Sequence, residues 1–512
     1  MGSIVPNRVR STNRPDTLSS FTEPTDRPTG GGPAVPRRTR SAPVSVPSPV
    51  REGRPKTATL AVTATATAVA LMNYTAPMPT LPAVAAAFGT PPSAQAWLLN
   101  GTPLGLAAFL LVAGGLADAY GRRRVFLLGT LALGLTTALG ALAGSTSVFT
   151  AARIAQGAAS AAVLAGSLGL LAHAYPTGRD RIRATGLWGA SVSGGIALGP
   201  LLAGALSPVD WRLAYGVLGA GALATAAAGA RWLPGAGAGP AAITRTSGAG
   251  APHPAPCLAP PPAPRPDVVG ALTLGLALAA LLTALTLGRD GWLRTPVGAL
   301  LLASAALTAL FAAVEARSGN PMIDLALLRR PAFLASTLGA LFTGLAVIGL
   351  FSVVPTLLQV GAGMSPLGTA WLFLLWSGTA FVAALQARRL AARLSAARQL
   401  ALGFALSAAG VLTFLGALEG HAGAWRLFPG LLVAGAGSGL LNAALPRLAV
   451  DSVPPERAAM GSGANNTARY IGSSAGVSLT LALATAGPDA ALVASAALAV
   501  TGAVLALVLA RR

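Results

Sequence analysis

"WLLNGTPLGLAAFLLVAGGLADAYGRRR" occupies residues 97–124. From Trp97 to Ala117 it carries no charge, and then come Asp118, a glycine and three consecutive arginines. An apolar run of this length matches the roughly 20 residues a helix needs to cross about 30 Å of hydrocarbon. In lipid the backbone must satisfy its own polar groups, so the run reads as a helix. The arginines mark the place where that helix leaves the bilayer on its cytoplasmic side.

The same pattern repeats on both sides of this stretch. The chain has 512 residues, 53% of them hydrophobic and 10% charged, with a mean hydropathy of +0.65. Uncharged runs near 57–78, 95–117, 125–144, 149–172, 184–206, 212–233, 268–287, 296–314, 333–358, 367–386, 399–418, 427–448, 459–484 and 489–510 predict fourteen transmembrane helices, hence an all-α polytopic membrane protein. The formal net charge of +21 would suit a nucleic-acid binder, but the basic residues fall in short clusters between the apolar runs.

With the N-terminus in the cytoplasm, most arginine clusters fall on inside loops: Arg122 to Arg124, Arg179 to Arg183, Arg388 to Arg398, and the tail Arg511 and Arg512. Only Arg212, Arg289, Arg294 and Arg426 fall outside. This asymmetry sets the orientation, with both termini cytoplasmic, and it accounts for the net charge without nucleic acid.

Residues 1–56 are rich in Pro, Ser, Thr and Arg and predict a disordered basic tail, with no apolar segment of signal-peptide type. Residues 234–267 are rich in Pro, Ala and Gly and read as a cytoplasmic linker. They divide an N-terminal six-helix bundle (57–233) from an inserted helix pair and loop (268–332) and a C-terminal six-helix bundle (333–512). An internal echo supports the two bundles. "LADAYGRRRVFLLG" (116–129) matches "LAARLSAARQLALG" (390–403) 274 residues later, and "RATG" (183–186) meets "RAAMG" (457–461) at nearly the same offset. Transporters are commonly built from such repeats, with the substrate between them.

Three stretches carry mechanism. In "GGLADAYGRRRV" (114–125), Gly114 and Gly121 permit a close helix approach and a tight turn. There Asp118 can pair with Arg122 and Arg123 or cap a neighbouring helix, as a latch that holds one conformation. "ARIAQGAASA" (152–161) puts Arg153 inside an apolar helix beside Gln156, a position that needs an interior partner. "GLWGASVSGGIALGPLLAG" (186–204) sets Gly186, Gly195, Gly199 and Gly204 around Pro200: small residues for helix contact and a proline for a kink.

These stretches resemble signatures of the major facilitator superfamily, in its second to third loop, fourth helix and fifth helix. Ala119 stands where the family has a basic residue. The span count, with "GANNTARYIGSSAGVSLTLAL" (463–483), resembles the fourteen-helix drug:proton antiporter-2 branch. The resemblance covers about residues 57–510. It implies the major facilitator fold, a monomer in the inner membrane, and secondary export of small, mostly hydrophobic drug or antibiotic-like compounds by proton antiport with alternating access. The fifth helix would act as hinge and seal.

In "LMNYTAPMPTLP" (71–82) the branch places a protonatable aspartate where this chain has Asn73. Asparagine does not titrate, though it donates and accepts hydrogen bonds. Pro77 and Pro79 free backbone carbonyls that can line a cavity. No Asp or Glu is placed at mid-bilayer, whereas Arg153 and Arg469 are. The cavity is therefore expected to be neutral to positive and to suit neutral or anionic compounds. Other candidate cavity residues are Tyr74, Asn100, Gln156, Trp188, Gln359, Asn442, Asn465 and Asn466. Trp371 and Trp376 fit packing or interface anchoring as well as ligand contact. With Asn73 in place of the acid, proton coupling has no assigned site, and Arg153 and Glu419 are the remaining candidates.

One cysteine (Cys257) and three dispersed histidines argue against a disulfide or zinc site, and no glycine-rich loop is followed by Lys-Ser/Thr for ATP. No cofactor, no metal and no enzymatic activity are expected; the partners are substrate, protons and lipid. An uncoupled facilitator or exchanger, and a non-transporting sensor on the same fold, are the rival readings.

Overall fold

The computed structural model describes residues 53–175, 178–234, 268–288, 291, 293–317, 327, 329–391, 393–418, 424–454 and 458–509. The tail expected before residue 53, the linker expected over 235–267 and Glu419 lie outside the described residues.

Every described element is helical. The first six apolar runs give α1 (Gly53–Thr75) and α2 (Pro77–Phe88), then α3 (Gln95–Tyr120), α4 (Arg122–Ala141), α5 (Thr146–Ala174), α6 (Gly178–Leu206) and α7 (Trp211–Trp232). Next come α8 (Val268–Leu287) and α9 (Thr295–Arg317). The last runs give α10 (Pro331–Phe342) and α11 (Gly349–Gly361), joined by a π-helical turn over Thr343–Ile348, then α12 (Pro366–Ala391), α13 (Ala396–Leu412), α14 (Phe428–Asp451), α15 (Ala458–Ala484) and α16 (Pro488–Leu509). Ten described segments are long and apolar enough to cross a membrane, α10 to α11 counting as one. Three more apolar helices are shorter: α2, the Leu272–Leu287 part of α8, and α13. α1 and α15 have the length but carry too many threonine, serine and asparagine side chains to join the ten.

The helix ends have local causes. Gly121 has φ 96°, a left-handed value that suits a residue without a side chain, and it turns α3 into α4. Ser145 caps α5 through the Val148 amide (3.4 Å), and Asp210 caps α7 through the Arg212 amide (2.9 Å). The first apolar run extends further than the 57–78 expected, because α2 resumes beyond Ala76 and continues through Pro82 to Phe88.

The packing repeats itself. α1 packs on α6, α3 on α5, α4 on α5 and α7; likewise α10 and α11 pack on α15, α12 on α14, α13 on α14 and α16. The contacts are glycine-lined in both sets. A Cβ at Gly195 or Gly199 of α6 would run into the backbone of α1. At Gly472 or Gly476 of α15, 277 residues later, it would run into the backbone of α10 and the π turn. Between helices in lipid, packing replaces the hydrophobic effect as the driving force, and small residues let backbones approach. α9 packs on α8, which also touches α3 and α15.

Candidate functional site

Below, the face holding Gly53, Gly121 and Leu509 is called proximal, and the face with the 89–94, 207–210 and 362–365 connections distal. The break after Thr75 organises the centre of the first helix set. Pro77 has no N–H, so the Asn73 carbonyl has no α-helical partner four residues on. Arg153 of α5 fills the vacancy: Nη1 donates to the Asn73 carbonyl at 2.7 Å and Nη2 to the Tyr74 carbonyl at 3.3 Å. Nη1 also donates to Gln156 Oε1 at 2.7 Å, and Gln156 Nε2 donates to the Thr136 carbonyl at 3.2 Å. The Asn73 side chain accepts from Thr137 Oγ1 at 3.2 Å and donates to the Val69 carbonyl at 3.2 Å. Asn73, Arg153 and Gln156 are all fully buried. The sequence put these residues in a cavity wall; the structure packs them into one polar knot inside the first set.

A second group joins the two sets. Tyr74 Oη and Ser473 Oγ of α15 lie 3.1 Å apart, and the Tyr74 and Tyr470 rings meet edge-on at 5.9 Å. Asn100 Nδ2 donates to Ser478 Oγ (3.0 Å), the Ser474 carbonyl (3.2 Å) and Thr286 Oγ1 of α8 (3.4 Å). Gln359 Nε2 donates to the Pro79 carbonyl at 2.8 Å. These carbonyl and hydroxyl partners were not singled out in the sequence, where serines and threonines are too frequent to stand out.

The remaining candidates scatter. Trp188 ties α6 to α1 and α5, donating to Thr67 Oγ1 and Ser167 Oγ at 3.0 Å each. Asn465 donates to the carbonyl and Oγ of Ser336 on α10 (3.0 Å each), inside the second set. Asn466 and Arg469 are half-buried, and Asn442 is exposed. Trp376 is buried and stacks on Phe351 at 4.3 Å, whereas Trp371 is 58% exposed.

At the proximal face Arg122 Nη1 donates to the Gly169 carbonyl (3.1 Å) and Arg123 Nη2 to the Ala230 carbonyl (3.0 Å), so the arginines bind the ends of α5 and α7. The side chain of Asp118 lies outside the described set. A Cβ at Gly114 or Gly186 would meet nothing within 4 Å, so neither glycine supports a close helix contact here. At Gly204 it would sit 2.8 Å from the Pro366 carbonyl and 3.0 Å from Ala370 Cβ of α12. α6, which contains Pro200, is thus closed against the second set at its distal end, while Thr185, Gly186 and Leu187 near its proximal end are exposed.

The family model described as Major Facilitator Superfamily matches residues 63–477. The chain belongs to that superfamily. Among curated relatives, it is 30% identical over 401 residues (77% of this chain, 70% of the relative) to the multidrug resistance protein Stp of Mycobacterium tuberculosis. It is 31% identical over 415 residues (78% and 67%) to a probable actinorhodin transporter of Streptomyces coelicolor. It is 29% identical over 404 residues (78% and 76%) to the puromycin resistance protein pur8 of Streptomyces alboniger. Among solved structures, a bacterial homologue of the human lysosomal transporter Spinster, in an inward-facing and unoccupied conformation, aligns with a TM-score of 0.61 and 15% identity, over 90% of this chain and 98% of that one.

As a superfamily member the chain is a multi-pass membrane transporter and not an enzyme.

Proposed function

We propose that this chain is a secondary exporter of small, mostly hydrophobic drug or antibiotic-like compounds. It threads the inner membrane fourteen times, with both termini cytoplasmic, as two six-helix bundles and an inserted pair. It works by alternating access, with the seam between the bundles as the path. The observation that carries this reading is the asymmetry of α6: glycine-tight against α12 at its distal end, open near its proximal end. Such an asymmetry suits a path open to one side, and rocking about the glycine and serine contacts would open the other. The resistance and export proteins among its relatives support the substrate class.

The test is expression in an efflux-deficient bacterium. Export of a hydrophobic antibiotic, lost in Gly204→Trp while the protein still reaches the membrane, is the expected result; unchanged susceptibility to every hydrophobic antibiotic tried would end the reading. Reporter fusions at both termini should read cytoplasmic.

Proton antiport is the energy source the superfamily suggests. A specific observation favours a second reading of the coupling: Asn73 is buried and held by Thr137, with no carboxylate at the helix break among the described residues. An uncoupled facilitator or an exchanger would need none. Proteoliposome flux with and without an imposed pH gradient separates the two.

A further inference from the structure

The two membrane arginines are in different states. Arg153 is fully buried, and both its terminal nitrogens are engaged by Asn73, Tyr74 and Gln156, its Nε alone lacking a hydrogen-bond partner. Arg469 on α15 is half-buried. Its Nη2 donates to Asn466 Oδ1 at 2.8 Å, its guanidinium lies 5.6 Å from the Tyr470 ring centroid, and its Nε is buried without a hydrogen-bond partner. No carboxylate pairs with it among the described residues. A lone arginine at this depth is expensive, and such residues mark substrate or ion paths.

The face it occupies is defined by its neighbours on α15. Asn466 and Arg469 lie three residues apart, hence on one side of the helix. Tyr470 and Ser473, next to that side, touch Tyr74 of the first helix set. Asn465 and Gly472 lie on the flank beyond Arg469, where α15 packs on α10. Ser473 lies between Asn466 and Arg469 around the helix, so these two half-buried residues flank the seam where α15 meets Tyr74, beside an aromatic edge.

We infer that Arg469, oriented by Asn466, binds the anionic group of an aromatic or apolar organic acid in the space between the two helix sets. This rests on the exporter reading and gives its substrate class. A guanidinium with free N–H groups takes a carboxylate or phenolate through a planar fork. Tyr470 and Tyr74 supply apolar surface for the rest of the molecule. The anion also provides the counter-charge that the protein itself withholds, so an organic cation of the same shape is disfavoured.

The test uses the full chain in nanodiscs and three probes of one shape: 9-anthracenecarboxylate, its methyl ester and 9-(aminomethyl)anthracene. The carboxylate is expected to bind about tenfold or more tighter than the other two. Arg469→Gln should raise its Kd about tenfold while leaving the ester unchanged, and Arg469→Lys should recover part of the loss. Equal binding of carboxylate and ammonium, an unchanged carboxylate Kd in Arg469→Gln, or an equal loss for all three probes would overturn the inference. Flux of the same probes separates it from the exporter reading. Export of the ester or ammonium without binding of the carboxylate sinks the anion site alone. Selective carboxylate binding with no flux of any compound sinks the exporter alone.

Discussion

Arg153 does two jobs that its sequence position does not separate. It neutralises the cost of a proline break by donating to the carbonyls at Asn73 and Tyr74, and it fixes Gln156 against α4. Removing it leaves several buried acceptors unpaired, each worth about 1–3 kcal/mol. Arg153→Ala is therefore expected to lower stability by on the order of 3 kcal/mol, read as a fall in the detergent unfolding midpoint, with Arg153→Lys intermediate because an ammonium lacks the fork. Asn73→Asp tests the opposite change. It places a carboxylate at the break, beside the backbone carbonyls that Arg153 holds. The variant is expected to fold and to make proteoliposome flux more dependent on an imposed pH gradient than the parent's. Equal gradient dependence in both would show that the break has no part in coupling.

At the scale of elements, glycine content misleads until neighbours are known. Gly199 lies against Thr75 and the Met72 carbonyl of α1, whereas Gly186 has open space beside it. Gly199→Ala should force α1 and α6 apart at a cost of about 1–3 kcal/mol. Gly186→Ala should be neutral or slightly stabilising, by up to about 1 kcal/mol, since alanine is the better helix former. Scanning fluorimetry of the two variants side by side checks the contrast. The same logic applies to the interrupted helices. Each set opens on one, α1 to α2 at Ala76 and α10 to α11 through the π turn, and each lies against a glycine-rich partner, α6 or α15.

For the molecule as a whole, the distal contact between α6 and α12 is the one to lock. A Cβ at Gly204 would lie 3.0 Å from that of Ala370, close enough for a disulfide after a small relaxation. In a background with Cys257→Ser, the pair Gly204→Cys and Ala370→Cys is expected to cross-link under oxidation and to stop transport, with recovery on reduction. Transport that continues through a fully oxidised pair would mean that this end of the seam never opens.

Much of this protein is written locally. Apolar run lengths, arginine placement and the G-x-L-A-D-x-x-G-R-R spacing are properties of neighbouring residues, and they were enough to read an all-helical superfamily transporter. The 274-residue echo of the α3–α4 turn raised the expectation of a repeat, and the glycine contacts of α6 recur in α15 277 residues on. Partnership was not legible. Prolines at 77 and 79 announce vacant carbonyls, but that Arg153 fills the one at Asn73, eighty residues away, is settled by how α5 packs on α1. Alanine and glycine cover every face of these helices, so their periodicity cannot tell an inward from an outward side. Only the packed arrangement separates the arginine sealed inside one helix set, Arg153, from the half-buried one beside the seam, Arg469.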